Sequence, residues 1–210
     1  MRRAIILMAI LFLSVGLSTI LLLHQPAPSR SPGNSASVIV IIEHYRNGEL
    51  VNRLVKENDL ILENFAKLLL KIISQPPETV WFTKIDGGSY GSSSTSVLMV
   101  NQDTAMIHLG NGTSAVSVTD YKLASEVRSE IVGEVGCSTL GNKVNATASA
   151  SFTFTESYTI KEIGLSLAIA GKSSSPTWYR ILICRDDISS NPITVQAGDT
   201  LTVTYIFQLN

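Results

Sequence analysis

The chain has 210 residues, with 16 Lys and Arg against 17 Asp and Glu and a formal net charge of −1. That balance offers no basic footprint for nucleic acid and no long acidic run of a solvating tail. Charged residues make up only 16% of the chain, and the abundance of Ser and Thr suits an extracellular β-protein whose solvent faces carry hydroxyls.

Met1-Arg2-Arg3 starts the chain with positive charge, and residues 4–23 follow without an ionisable side chain. This pattern directs a chain to an export machinery, with the arginines on the cytoplasmic side. The apolar run is longer than an ordinary signal-peptide core and close to the roughly 20 residues that cross a bilayer. Two readings of residues 1–23 therefore stand: a cleaved signal peptide, or a retained anchor that touches the membrane through residues 4–23 alone. Ala27 and Ala36 are the nearest candidates for cleavage, each with a poor residue at minus three. Either reading places the remainder outside the cytoplasm, extracellular or at the cell surface. Residues 24–36, rich in Pro, Ser and Gly, read as a flexible leader. Residues 37–210 remain as a single domain, long enough for a real core.

Residues 37–42 read SVIVII, apolar on both faces. A strand with one wet face alternates, so this one is expected to be covered on both sides. Asn47-Gly48 is the dipeptide best suited to a type I′ hairpin turn and predicts a returning strand over 49–55. Asp59 is placed to cap a helix over 60–73, where Ile61, Phe65, Leu68, Leu69 and Ile72 recur at helical spacing opposite Glu63, Lys67 and Lys71. Pro76-Pro77 prevent its continuation.

Beyond the prolines the pattern is β. Residues 80–85, 97–100 and 105–109 are strand candidates, with a Gly- and Ser-rich loop over 87–96. Thr119 or Asp120 is placed to cap a short helical turn through Glu126. Residues 146–155 alternate clearly, with Ala146, Ala148, Ala150, Phe152 and Phe154 on one face and hydroxyls on the other. Residues 158–167 and 178–184 supply two more strands. The last strand sets Leu201, Val203, Tyr205, Phe207 and Leu209 against Thr200, Thr202, Thr204 and Gln208. About eight to ten strands and one packed helix in the N-terminal half predict a mainly β, jelly-roll-like β-sandwich rather than a parallel α/β fold.

Cys137 and Cys184 lie in strand-like segments of an exported chain, so an oxidising compartment makes a disulfide between them the default and two separately buried thiols the alternative. Such a bond, closing a loop of nearly fifty residues, contributes about 3–4 kcal/mol. Asn111-Gly-Thr113 and Asn145-Ala-Thr147 are N-glycosylation sequons, making N-glycans at Asn111 and Asn145 the expected modification in a host that glycosylates.

Ligand-spaced histidine patterns are missing. His24, His44 and His108 stand apart from any such cluster, and Gly110-Asn-Gly112 reads as a turn. Asp186-Asp187, and Asn101 with Asp103, carry oxygens of the kind that hold Ca²⁺, but acidic pairs in loops are mostly solvated. The reading is a chain with no enzymatic activity, no metal and no cofactor.

Several blocks taken together carry a resemblance: strand–Asn47-Gly48–strand; Asn58-Asp59, Asn64-Phe65 and Leu68-Leu69-Leu70 about the helix; Gly110-x-Gly112, Asp120-x-x-Leu123 and Glu126-Val127; Ile163-Gly-Leu165; and Ala197-Gly-Asp-Thr-Leu-Thr-Val-Thr-Tyr205. From about residue 38 to the C terminus the chain resembles small β-proteins found in virus and phage tail-fibre or appendage clusters and among exported archaeal proteins. It departs from the tail proteins by its export segment. A second resemblance is architectural. An exported sandwich with a doubly apolar N-terminal strand is similar to subunits of extracellular filaments built by donor-strand complementation: archaeal threads, bundling pili and cannulae. That resemblance implies that Ser37, Val38, Ile39, Val40, Ile41 and Ile42 form the polymerisation strand, inserted into a neighbour's groove to give a head-to-tail homopolymer. The rival expectations are a secreted or membrane-anchored surface-binding sandwich of adhesin type, in which the strand pairs within its own domain, and a virus-related appendage protein.

Overall fold

The computed structural model describes residues 36–57, 60–74, 78–92, 98–141, 143–171 and 176–209. The apolar segment 4–23, Asp59 and Pro76-Pro77 lie outside them. Among the described residues no helix is long and apolar enough to cross a membrane.

The N-terminal hairpin forms where the sequence places it. Strand β1 (Ala36–Arg46) turns at Asn47-Gly48, both at positive φ (53° and 82°), into β2 (Glu49–Glu57). A type I′ turn demands that conformation at both central positions, which Asn and Gly adopt at least cost. A two-residue strand β3 (Leu60–Ile61) precedes helix α1 (Glu63–Ser74), so the helix starts three residues later than predicted. Its buried stripe also differs. Asn64, Phe65, Leu68 and Lys71 turn inward, whereas Ile61 and Ile72 are exposed. Asn64 earns its place by pairing with the backbone of Thr83 through both amide atoms.

Strand β4 (Val80–Thr83) pairs with β5 (Ser89–Ser92), which lies inside the segment read as a loop. The two predicted strands over 97–109 are one continuous strand, β6 (Leu98–Gly110). No helical turn follows it. Residues 117–120 close a tight turn, with the Asp120 amide donating to the Ser117 carbonyl, before β7 (Glu126–Ile131). Then come β8 (Glu134–Leu140), β9 (Lys143–Thr153), β10 (Tyr158–Ile160), β11 (Glu162–Gly171), β12 (Tyr179–Asp187), β13 (Ile193–Val195) and β14 (Thr200–Leu209).

The expectation of a mainly β protein with one helix holds. Two five-stranded antiparallel sheets dominate, in the orders β2-β1-β14-β9-β8 and β3-β12-β11-β6-β7, beside the small pairs β4-β5 and β10-β13. Alternate residues of both large sheets meet in one core. Val38, Val40 and Ile42 of β1, Phe152 of β9, and Leu201, Val203, Tyr205 and Phe207 of β14 lie in it with Ile107 and Leu109 of β6 and Ile163 and Leu165 of β11. Phe65 of the helix stacks on Phe207 with ring centroids 5.9 Å apart. Burying such side chains at about 1.5–3 kcal/mol each is the main force holding the sheets together.

Candidate functional site

Strand β1 is not covered on both faces. Val38, Val40 and Ile42 are buried, while Ser37, Ile39 and Ile41 are only half-buried on the outer side. The strand pairs with β14 along Ala36↔Leu209 to Tyr45↔Thr200 and with β2 on its other side. Its far end is pinned electrostatically. The Asp199 carboxylate accepts from His44 Nε2 at 2.8 Å, from Arg46 Nε and Nη2 at 2.9 and 2.8 Å, and from the Gln196 amide at 2.8 Å. Arg46, then His44, hold the Asp199 carboxyl far below the usual carboxylate range against the opposing effect of desolvation. Asp199 belongs to the turn before β14, whose Gly198 sits at φ +88°. The Ala197-Gly-Asp segment thus serves as the clamp for the first strand.

A second polar cluster lies on the side of the β6/β11 sheet turned away from the core. Because Ile107, Leu109, Ile163 and Leu165 point inward, their neighbours His108, Gly110, Glu162, Gly164 and Ser166 face the opposite way. Segment 111–125 covers them. Glu162, 1% exposed, accepts from the amides of Gly112, Ala124 and Ser125 at 3.0, 3.0 and 2.7 Å, and from Arg185 Nε and Nη2 at 3.1 and 2.8 Å. Arg185 reaches on to Asp120 at 2.5 Å and to the Ser114 carbonyl at 3.2 Å. Gly112 has to be glycine here, since an added Cβ would stand 2.4 Å from Glu162 Oε1. One buried carboxylate therefore satisfies three loop amides and one guanidinium, which is what permits the loop to lie flat on the sheet.

Beside this anchor a pocket of about 440 Å³ opens between Ile85, Met106 and Leu123, with His108, Glu126, Lys122 and Arg180 on its wall. His108 Nδ1 lies 3.0 Å from Glu126 Oε2 and Nε2 lies 2.7 Å from Ser166 Oγ, to which Arg180 Nη1 donates at 3.1 Å. With Glu126 ionised, Nδ1 is the donor to that carboxylate. The His108 hydrogen bond holds the Glu126 carboxyl below its ordinary range, against desolvation. Burial lowers the Arg180 guanidinium, which the Glu126 charge partly offsets. Nucleophile, base and orienting carboxylate follow one another as in nucleophilic catalysis. Ser166, however, is fully buried and faces Arg180 and the Met106 carbonyl. Its oxygen is not presented to the pocket, so the arrangement works as a buried polar network.

His108, read from the sequence as standing outside any ligand-spaced cluster, is buried in a hydrogen-bonded network. Its partners come from β7, β11 and β12, and no local spacing announces them. The expectation that the acidic pair Asp186-Asp187 is solvated is corrected. Asp186 lies one residue before the end of β12, is buried and is bonded to Lys56 of β2. Burial raises its carboxyl while Lys56 opposes the rise. The expected disulfide is not formed. Cys137 is exposed on β8 in one sheet and Cys184 is buried on β12 in the other, and both are thiols. Of the sequon asparagines, Asn111 is exposed at the start of the pinned loop. Asn145 is half-buried on β9 and accepts from Gln208 Nε2 at 3.0 Å. No group of three or more His, Cys, Asp or Glu arranged to hold a metal occurs among the described residues. Comparisons of the chain with protein families, with curated proteins and with solved structures find no match.

Proposed function

We propose that the chain is an exported β-sandwich that serves as a structural subunit of an extracellular filament, each subunit lending β1 to the next. The observation that carries this reading is the register of β1 on β14. The first strand completes a core that is otherwise closed by the last, and Val38, Val40 and Ile42 disappear into it. An identical strand from a neighbour would restore every one of those bonds and contacts, and a head-to-tail contact that does not close into a ring gives an open fibre. The two facing sheets support the finer description as a sandwich. Its winding departs from a jelly roll, which carries most successive strands from one sheet to the other. Here β6–β7, β8–β9 and β11–β12 stay together within their sheets.

A second reading, a surface-binding module of adhesin type with β1 kept at home, is favoured by the Asn47-Gly48 turn and by the clamp of His44 and Arg46 on Asp199. One substitution separates the two. Val40→Asp places a charge in the core position that β1 fills, at a cost of several kcal/mol. In a filament subunit the head is secreted and folded but polymers are lost from micrographs of the cell surface. If the variant head unfolds while wild-type subunits stay dispersed, the strand belongs to its own domain and the filament reading fails.

A further inference from the structure

The two large sheets end on four strands, and three of these are defended. Strand β2 carries Glu49, Arg53, Lys56 and Glu57, and its pairing with β1 is interrupted by a bulge at His44/Tyr45. Strand β7 carries Glu126, Arg128 and Glu130, and β3 is two residues long. Charges, bulges and shortness are the usual means of keeping a sheet edge from pairing with another chain. Strand β8 has no bulge, is seven residues long and carries one charge, at its first residue. After Glu134 it reads VGCSTL, its pairing with β9 is continuous, and Glu134 to Thr139 are all exposed. No strand pairs with its far side among the described residues. Val135 and Cys137 stand opposite Ala148 and Ala146 of β9, hence on the core side of the sheet, yet Val135 is 63% exposed. The apolar side of the strand is thus left uncovered, and Ile131, four residues earlier in the chain, is 57% exposed.

We propose that β8 is a self-association edge that pairs antiparallel with β8 of a second copy about a two-fold axis, joining the two sheets into one. Charge selects this occupant and orientation. A parallel, in-register pair would set Glu134 against Glu134, whereas the antiparallel pair places the two carboxylates at opposite ends, roughly 20 Å apart. The other long edges of this chain are the charged β2 and β7, so β8 is its own best-matched partner. Such a contact is isologous and closes at two copies. The inference does not rest on exchange of β1, which is separated from β8 by two strands, β14 and β9, in the same sheet.

Cys137 is the middle residue of β8 and supplies a native reporter. A two-fold through the strand centre sets it opposite its own copy, with Cα atoms about 4.5–5.5 Å apart, inside the disulfide range. The test uses the purified full-length chain, measured by light scattering with thiols reduced and by peptide mapping after diamide oxidises thiol pairs. The expected result, for subunits that keep β1 in their own sheet, is a dimer under reduction, a Cys137–Cys137 linked peptide after oxidation, and a Cys137→Ser chain that remains dimeric; where β1 is exchanged, the same linked peptide joins two fibres. Val135→Lys, at an already exposed site, should weaken the dimer by about tenfold or more. Leu50→Lys on β2 should leave it unchanged, and circular dichroism of each variant verifies that it folds. A monomeric reduced chain overturns the proposal, as does a dimer that Val135→Lys leaves intact or whose linked peptides lack the Cys137 pair.

Discussion

Replacing Glu162 by alanine removes the acceptor on which segment 111–125 converges. Five donors lose their partner: the amides of Gly112, Ala124 and Ser125, and Nε and Nη2 of Arg185. The side chains of Arg185 and Glu162 are 3% and 1% exposed, so the guanidinium stays buried with Asp120 as its remaining carboxylate. Breaking a buried ion pair by removing one partner costs about 3–5 kcal/mol. Each orphaned amide adds up to about 1 kcal/mol where water cannot reach it. Ala124 and Ser125 are exposed residues, so water replaces part of what their amides lose, and the ion pair sets the scale at about 4 kcal/mol. For a domain of this size that corresponds to a fall in Tm of about 10 °C. Glu162→Gln keeps an acceptor oxygen and gives up the charge, so it should cost about half as much. Urea unfolding measures the loss, and hydrogen exchange should show amides 112, 124 and 125 losing protection before the strands do. An alanine variant within about 0.5 kcal/mol of the parent would refute the assignment, and so would a glutamine variant as damaged as the alanine one.

Asp199 has a folded pKa below its unfolded value of about 3.9, so its clamp stabilises fully above that value and fades as pH falls through the acid range. Asp199→Asn should therefore flatten the acid limb of a stability–pH curve. Asp186 runs the other way, because burial raises its carboxyl and stability is lost as pH rises past the unfolded value toward the folded one. Lys56→Met should deepen that deficit, costing about 2 kcal/mol at neutral pH once the partial exposure of Lys56 is allowed for, and less in acid. Replacing Asp186 by leucine as well should recover most of the loss in urea unfolding. Iodoacetamide under native conditions should label the exposed Cys137 and spare the buried Cys184, with denaturant needed to reach the second thiol.

What could be read from the sequence is whatever local periodicity encodes. The alternation of β9 and β14 survives intact, with Phe152, Leu201, Val203 and Tyr205 in the core, because each is decided by residues two apart. The Asn47-Gly48 turn is likewise local. Helix α1 was legible as an element, but its inward stripe includes Asn64 and Lys71, since tertiary partners outweigh helical amphipathicity. Strand β8 was legible only as a strand-like segment around Cys137, with no bounds, because Glu-Val-Gly-Cys-Ser-Thr-Leu alternates weakly and an edge strand needs no apolar cluster. Lys161-Glu162 reads as an ordinary charged pair. Glu162 is buried because its donors come from 23 to 50 residues away, a separation that no spacing rule reaches. The pairing of His108 with Ser166, 58 residues apart, was hidden for the same reason.

The pairing of Ala36 with Leu209 has a consequence for how the molecule is made. A chain is synthesised from its N terminus, so β1 is among the first strands finished and β14 is the last. Until residues 200–209 leave the ribosome, β1 has only β2 beside it, and an isolated two-stranded hairpin is marginal in water. The apolar Val38, Val40 and Ile42 therefore wait until residues 200–209 are made for the surface that buries them. Closure of the first sheet is a late event that joins both ends of the described chain, and folding of that sheet waits for residues 200–209.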